Sequence, residues 1–152
     1  MQVKVKSAVH INRPPQEVFD YLSNPDNMPV WQSTLHHVEE KRNLAGARLA
    51  RNAVVHDRRN VLGKDIDSQY QVAAFEEGKS LTLQVAPGGP VSFQMTWDLQ
   101  PLDGGTYLTA EGGGDLGDLP MSPVAANRGC QLLLESDLKT LTQVLEGQAK
   151  GR

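Results

Sequence analysis

The sequence predicts an α+β fold in which an antiparallel sheet is followed by a single long C-terminal helix that packs onto it. Three observations predict this. Val91, Phe93, Met95, Trp97 and Leu99 alternate with Ser92, Gln94, Thr96, Asp98 and Gln100, the period of a half-buried strand. The connections between such runs are short and rich in glycine and proline, which suits antiparallel neighbours. Near the C-terminus the period changes to that of a helix, with Leu134, Leu138, Leu141 and Leu145 on one stripe.

The first element is a strand, because Val3, Val5, Val9 and Ile11 share one face and Lys4, Lys6 and His10 the other. Asn12-Arg13-Pro14-Pro15 ends it, and a proline early in the next segment suits a helix N-terminus, where an N–H is unpaired anyway. Val18, Phe19, Tyr21 and Leu22 cluster at helical spacing. Ser23 to Asn27 breaks that helix, and Asn24, Asp26 or Asn27 caps a second short one holding Met28 and Trp31. A mixed strand-like pattern runs from Thr34 to about Asn43, and Ala47, Leu49, Ala53 and Val55 alternate after it. A turn is expected around Arg58 to Gly63, then a strand with Ile66, Ser68, Tyr70 and Val72 on one face.

Leu81, Leu83 and Val85 mark the next strand, and Pro87-Gly88-Gly89-Pro90 its hairpin connection to the strand at 91–100. Asp103-Gly104-Gly105 turns into a last strand from Thr106 to about Glu111. Gly112 to Leu119 reads as a loose linker, because glycine removes side-chain restraint. The closing helix is expected from about Pro120, with Gly147 as its stop.

Size and composition narrow the function classes. A chain of 152 residues, 39% hydrophobic and 22% charged, is long enough to bury a core and is expected to form one domain over residues 1–152. A net charge of -3 argues against nucleic-acid binding, which needs a dense basic patch. Cys130 is the only cysteine, so no intrachain disulfide or cysteine metal cluster can form. The N-terminus lacks an apolar leader core, and no stretch has the apolar length to span a bilayer. A cytoplasmic protein is expected, without cofactor or metal, as a monomer or homodimer.

Three segments carry a family resemblance. Val9-His10-Ile11-Asn12-Arg13-Pro14-Pro15-Gln16-Glu17-Val18-Phe19-Asp20-Tyr21-Leu22 resembles an apolar strand followed by a Pro-x-Glu-x-Val/aromatic helix start. Asn24-Pro25-Asp26-Asn27-Met28-Pro29-Val30-Trp31 resembles a second helix with its tryptophan, and Leu102-Asp103-Gly104-Gly105-Thr106-Tyr107-Leu108-Thr109 a late Gly-Thr hairpin. Together they resemble the SRPBCC (START-like) superfamily, and within it the polyketide cyclase/dehydrase-like group. The resemblance implies a helix-grip fold, with a curved antiparallel sheet wrapped around the long helix and two short helices after the first strand. It also implies a pocket for a small hydrophobic ligand (lipid-, polyketide- or aromatic-like) between the sheet and the N-terminal half of that helix.

The candidate site residues follow from that placement. Helical projection puts Asn127 near the centre of the leucine stripe, with Gln131 and Cys130 on its flanks. Asn127 either meets a ligand or bonds a neighbouring carbonyl. Phe93, Met95 and Trp97 either shape a cavity or fill it. Trp31 and Met28 either form the pocket mouth or pack their helix against the sheet. Tyr70 either polarises a ligand carbonyl or bonds backbone. Arg51 shares its alternation with Leu49 and Ala53, so it either points inward to hold an oxyanion or reaches solvent at the sheet edge. His36 and His37 are adjacent on a strand and expected on opposite faces, with His37 kept as a cavity candidate.

Three functions fit these residues: carriage of a hydrophobic molecule, a cyclase/dehydratase-type enzyme, or a protein-interaction module. No catalytic set is evident. The discriminating feature is the cavity lining: convergent titratable groups favour an enzyme, an apolar lining favours carriage, and a filled cavity favours a partner-binding role.

Overall fold

The computed structural model describes residues 1–86 and 88–150. Pro87, part of the expected Pro87–Pro90 turn, lies outside the described residues. The elements are β1 (Gln2–Ile11), α1 (Pro15–Leu22), α2 (Met28–Trp31), β2 (Leu35–Arg42), β3 (Val54–Val61), β4 (Lys64–Glu76), β5 (Ser80–Val85), β6 (Ser92–Leu102), β7 (Gly105–Asp115) and α3 (Pro123–Lys150). Pro15 opens α1, which buries Val18, Phe19 and Leu22. Of the three expected caps, Asn24 acts: its side chain accepts from the Asp26 amide at 3.0 Å, starting a short 3-10 turn that leads into α2.

The seven strands form one antiparallel sheet in the order β1-β7-β6-β5-β4-β3-β2. The last strand thus lies beside the first, and α3 packs chiefly on β1. This is the helix-grip arrangement. Leu138, Leu141 and Leu145 on the C-terminal half of α3 are buried with Ile11, Phe19 and Leu108, and seal one end of the core. Phe19 and Phe75 meet there edge-on, with ring centroids 5.6 Å apart.

Several boundaries differ from the periodicity reading, each for a local reason. Ala47 to Val55 is not one strand: Ala45 and Arg48 form an isolated bridge, and β3 begins only at Val54. The expected turn at 58–63 is instead the end of β3, with the chain reversing at Leu62 and Gly63, both at positive φ. Charged residues on the inward face hid this strand from a hydrophobicity pattern. His36 and His37 are both exposed, because a register shift between Leu35 and His37 breaks the alternation that would have turned one inward. The helix starts at Pro123 and continues past Gly147.

The largest correction concerns the glycines. Gly112, Gly113 and Gly114 are not a linker but strand residues of β7, paired with β1 on one side and β6 on the other. Inward-facing positions along β7 therefore read Leu108, Ala110, Gly112, Gly114, a taper from a large side chain to none. The two leading positions are fully buried. A Cβ on Gly112 would lie 2.8 Å from Met95 Sδ, and one on Gly114 only 2.0 Å from the Ser92 carbonyl oxygen. The taper lowers one part of the sheet floor beneath α3.

Two glycine substitutions separate these roles. Gly114 sits at φ 155 without room for a side chain, so Gly114→Ala should destabilise by more than about 1 kcal/mol in urea denaturation. Gly147 lies inside α3 with no atom within 4 Å of a built Cβ, so Gly147→Ala should stabilise by up to about 1 kcal/mol in the same assay.

Candidate functional site

A cavity of about 180 Å³ lies between the concave sheet face and the N-terminal half of α3. Most of its wall is apolar. Leu83 and Val85 of β5, Phe93, Met95 and Trp97 of β6, and Leu133 and Leu134 of α3 line it, with Trp31 entering from the end of α2. Trp31 and Trp97 meet edge-on with centroids 6.4 Å apart. Both indole Nε1 groups are buried and lack a hydrogen-bond partner among the described residues.

One end of the cavity is polar, and β3 builds it. Val55, Asp57, Arg59 and Val61 share the inward face, where Asp57 pairs across the ladder with Ser68 of β4, and Arg59 with Ile66. Asp57 is fully buried. Its Oδ2 accepts from Arg59 Nη2 at 2.9 Å and Nε at 3.3 Å, and its Oδ1 accepts from the Ser68 hydroxyl at 3.2 Å. Arg59 Nη1 donates to Gln32 Oε1 at 2.9 Å and to the Thr34 hydroxyl at 3.4 Å. A buried charge needs such partners, because its desolvation is otherwise prohibitive.

Two further groups complete this end. Asp137 of α3 lines the cavity and is buried, with Oδ1 accepting from the Ser33 amide at 3.0 Å and the Ser33 hydroxyl at 2.8 Å. Burial pushes its carboxyl above the ordinary aspartate value, and the two Ser33 bonds and the Arg59 charge oppose that shift. Tyr70 is buried on β4 beside Asp57, and its hydroxyl donates to Met28 Sδ at 3.4 Å. Burial, then the Asp57 charge, pushes this phenol far above its ordinary value, so it stays neutral.

Of the residues proposed from sequence, Trp31, Tyr70, Phe93, Met95 and Trp97 come together on the cavity wall, as does Cys130. Met28 is fully buried behind Tyr70 rather than at a mouth. Asn127 and Gln131 do not line the cavity. They face the outer edge of β1, where Asn127 Oδ1 accepts from the Lys4 amide at 2.6 Å and Gln131 Oε1 from the Lys6 amide at 3.0 Å. The buried stripe of α3 runs instead through Ala126, Cys130, Leu134 and Asp137, which displaces Asn127 to its flank. Arg51 is exposed and bonds the Phe75 carbonyl at 3.0 Å, and His37 points to solvent.

Sequence reasoning missed Asp57, Arg59, Asp137 and Gln32. A usable signal for the first two was present, since both fall in phase between Val55 and Val61 at period-two spacing.

The opposite, solvent-facing side of the sheet carries a separate polar group. Glu39, His56 and Asp67, distant in sequence, place one ligating atom each within 4.8 Å of one another. Glu39 engages His56 Nδ1 at 3.1 Å, Asp67 engages Nε2, and Arg58 reaches both carboxylates at 2.9 and 3.4 Å. With both ring nitrogens engaged and a guanidinium between the acids, the cluster satisfies itself as an ion-pair network. The Asp67 hydrogen bond is the main cause that raises the His56 pKa, and the same bond lowers that of Asp67.

Comparison with known proteins agrees with this architecture. The family described as "Polyketide cyclase / dehydrase and lipid transport" matches residues 2–146. No functionally curated protein matches the sequence significantly. A START superfamily protein from Mycobacterium smegmatis shares the fold with a TM-score of 0.76 at 14% identity, covering 95% of this chain and 98% of that one. A protein of Thermus thermophilus gives 0.71 at 18% identity, over 97% of this chain and 99% of its own. DynU16, a protein in the dynemicin biosynthetic locus, gives 0.63 at 19% identity over 94% of this chain but 47% of its own. At these identities the likeness is one of fold.

Removing Arg59 strands the fully buried Asp57, so Arg59→Met should cost about 3 kcal/mol in urea denaturation. The double variant Asp57→Leu/Arg59→Met should lose less than Arg59→Met alone, because no unpaired charge remains. On the outer face, the His56 contribution is complete below the ordinary histidine value and is lost as pH rises through the raised one. The stability difference between wild type and His56→Gln should therefore shrink from mildly acidic to alkaline pH, with the His56 ring titrating above the ordinary histidine value by NMR.

Proposed function

Because the chain belongs to the polyketide cyclase/dehydrase and lipid transport family, we propose that it captures a small hydrophobic molecule bearing one polar end. The molecule occupies the space between the sheet and the N-terminal half of α3. The observation that carries this reading is an open apolar cavity with a polar end in which the Asp57–Arg59 pair is already hydrogen-bonded and neutralised. An apolar cavity of about 150 Å³ accommodates one benzene ring, so about 180 Å³ suits a ring system rather than an extended acyl chain. Trp31, Phe93, Met95 and Trp97 supply the apolar contact, and the β3 end orients the polar group. Tyr70 belongs to the same wall, with its hydroxyl turned to Met28.

A second reading is a cyclase/dehydratase-type enzyme, favoured by one observation: Arg59, Tyr70 and Asp137 meet at the same end of the cavity. Enolate chemistry needs one group to move a proton and another to hold the oxygen, and these residue types supply both. A partner-binding role rests on a filled cavity, and the open volume argues against it.

Native mass spectrometry of the purified protein, followed by denaturing extraction, tests the first reading. A non-covalently bound ring-sized molecule is expected. Val85→Phe, which adds a ring to the cavity wall, should remove it while leaving the fold intact by circular dichroism. An apo mass, together with no calorimetric uptake of 2-naphthol, would overturn the reading.

A further inference from the structure

The polar end contains an arginine, which at first sight suggests a ligand carboxylate. Charge accounting points the other way. The Arg59 guanidinium is already neutralised by Asp57, which it holds through Nη2 at 2.9 Å and Nε at 3.3 Å. Asp137 then remains as a second carboxyl on the cavity wall, and Arg59 makes no ion pair with it. The polar end therefore carries one more acid than base.

The hydrogen bonds of Asp137 are one-sided. Both Ser33 donors fall on Oδ1, at 3.0 and 2.8 Å. No donor among the described residues reaches Oδ2, although the residue is 91% buried (9% exposed). Oδ2 is not itself enclosed, so a molecule in the cavity can reach it and supply that donor. The two indole N–H groups also lack acceptors among the described residues, but they are enclosed and a molecule in the cavity does not reach them. A ligand hydroxyl or ammonium can supply the donor that Oδ2 lacks.

We infer that Asp137 makes the cavity selective for ring molecules that present a hydroxyl or another hydrogen-bond donor, and that it excludes carboxylates. The inference rests on the cavity-binding reading above and adds the chemical class of the ligand. A ligand hydroxyl suits Asp137 in either protonation state, donating to the ionised form or accepting from the protonated one. A ligand carboxylate suits only the protonated form and has to bring a proton with it. Asp137 is thus a specificity residue supplied by the helix, opposite the Asp57–Arg59 pair supplied by the sheet.

Isothermal titration calorimetry at neutral pH with three probes on one ring system tests this: 2-naphthol, (2-naphthyl)methylammonium and 2-naphthoate. Naphthol and the ammonium probe should each bind roughly tenfold or more tighter than naphthoate. In Asp137→Asn, which keeps an acceptor for Ser33 and removes the charge, that gap should collapse. The wild-type comparison stands without the variant, because a merely apolar cavity would disfavour cation and anion alike. Naphthoate binding as tightly as naphthol, equal rejection of both ions, or an unchanged gap in a folded Asp137→Asn would each overturn the inference while leaving the cavity reading in place. Failure of all three probes to bind, with nothing co-purifying, would remove both.

Discussion

The long helix is held along the open edge of β1 by side chains that complete the strand's backbone hydrogen bonding. Asn127 Oδ1 takes the Lys4 amide, Gln131 Oε1 takes the Lys6 amide, and Glu146 Oε2 takes the Asn12 amide at 2.8 Å. Gln131 also returns its Nε2 to the Lys6 carbonyl at 2.7 Å. An edge strand covered by a helix would otherwise carry unpaired amides, each a serious loss. Residues spaced along one helix thus act as substitute ladder partners, and they set the axis of α3 over the sheet. With the helix committed to β1, its N-terminal half cannot also fill the concave surface of β3, β4 and β5. The cavity is the space left over.

What lines that space follows from side-chain size and charge on each strand. The taper on β7 from Leu108 to Gly114 gives Phe93 and Met95 room to lie over bare backbone. On β3, a charged pair occupies positions where Val55 and Val61 on either side would predict apolar residues. Well-packed hydrophobic replacements of such a pair are often neutral or stabilising, so stability alone does not account for its presence. The cooperative arrangement with Ser68, Gln32 and Thr34 orders several strands at once, and a fixed polar end is what orients a bound molecule. The two halves of α3 divide the labour, one sealing a dry core with Leu138, Leu141 and Leu145, the other roofing the cavity with Cys130, Leu133 and Leu134, and Asp137 stands at the midpoint between them.

The other edge of the sheet is managed differently. Among the described residues β2 has no strand beyond it, and its residues from His36 to Arg42 are mostly exposed and charged, with two register shifts along its length. Bulges and charges both discourage a second chain from pairing there. The same irregularity turns both adjacent histidines outward. It also leaves Glu39 facing His56 and Arg58, so that the outer side of β2, β3 and β4 is tied together by ion pairs rather than apolar contact.

The sequence by itself determined the element order, the faces of β1, β5 and β6, and the core half of α3. In those segments apolar and polar residues alternate at the period of the structure, and burial enforces that period on any sequence that folds. Trp31, Tyr70, Phe93, Met95 and Trp97 were legible as inward-facing for the same reason. Only the tertiary structure decided that Asp57, Arg59 and Asp137 form the polar end, because their partners Ser68, Gln32, Thr34 and Ser33 come from other elements. Polar side chains at inward positions cancel the hydrophobic periodicity that a sequence pattern measures, so a polar site inside a core erases its own signal. The role of Asn127 was hidden by geometry alone: one position along a helix is about 100° of rotation, enough to move an amide from the cavity to the edge of β1.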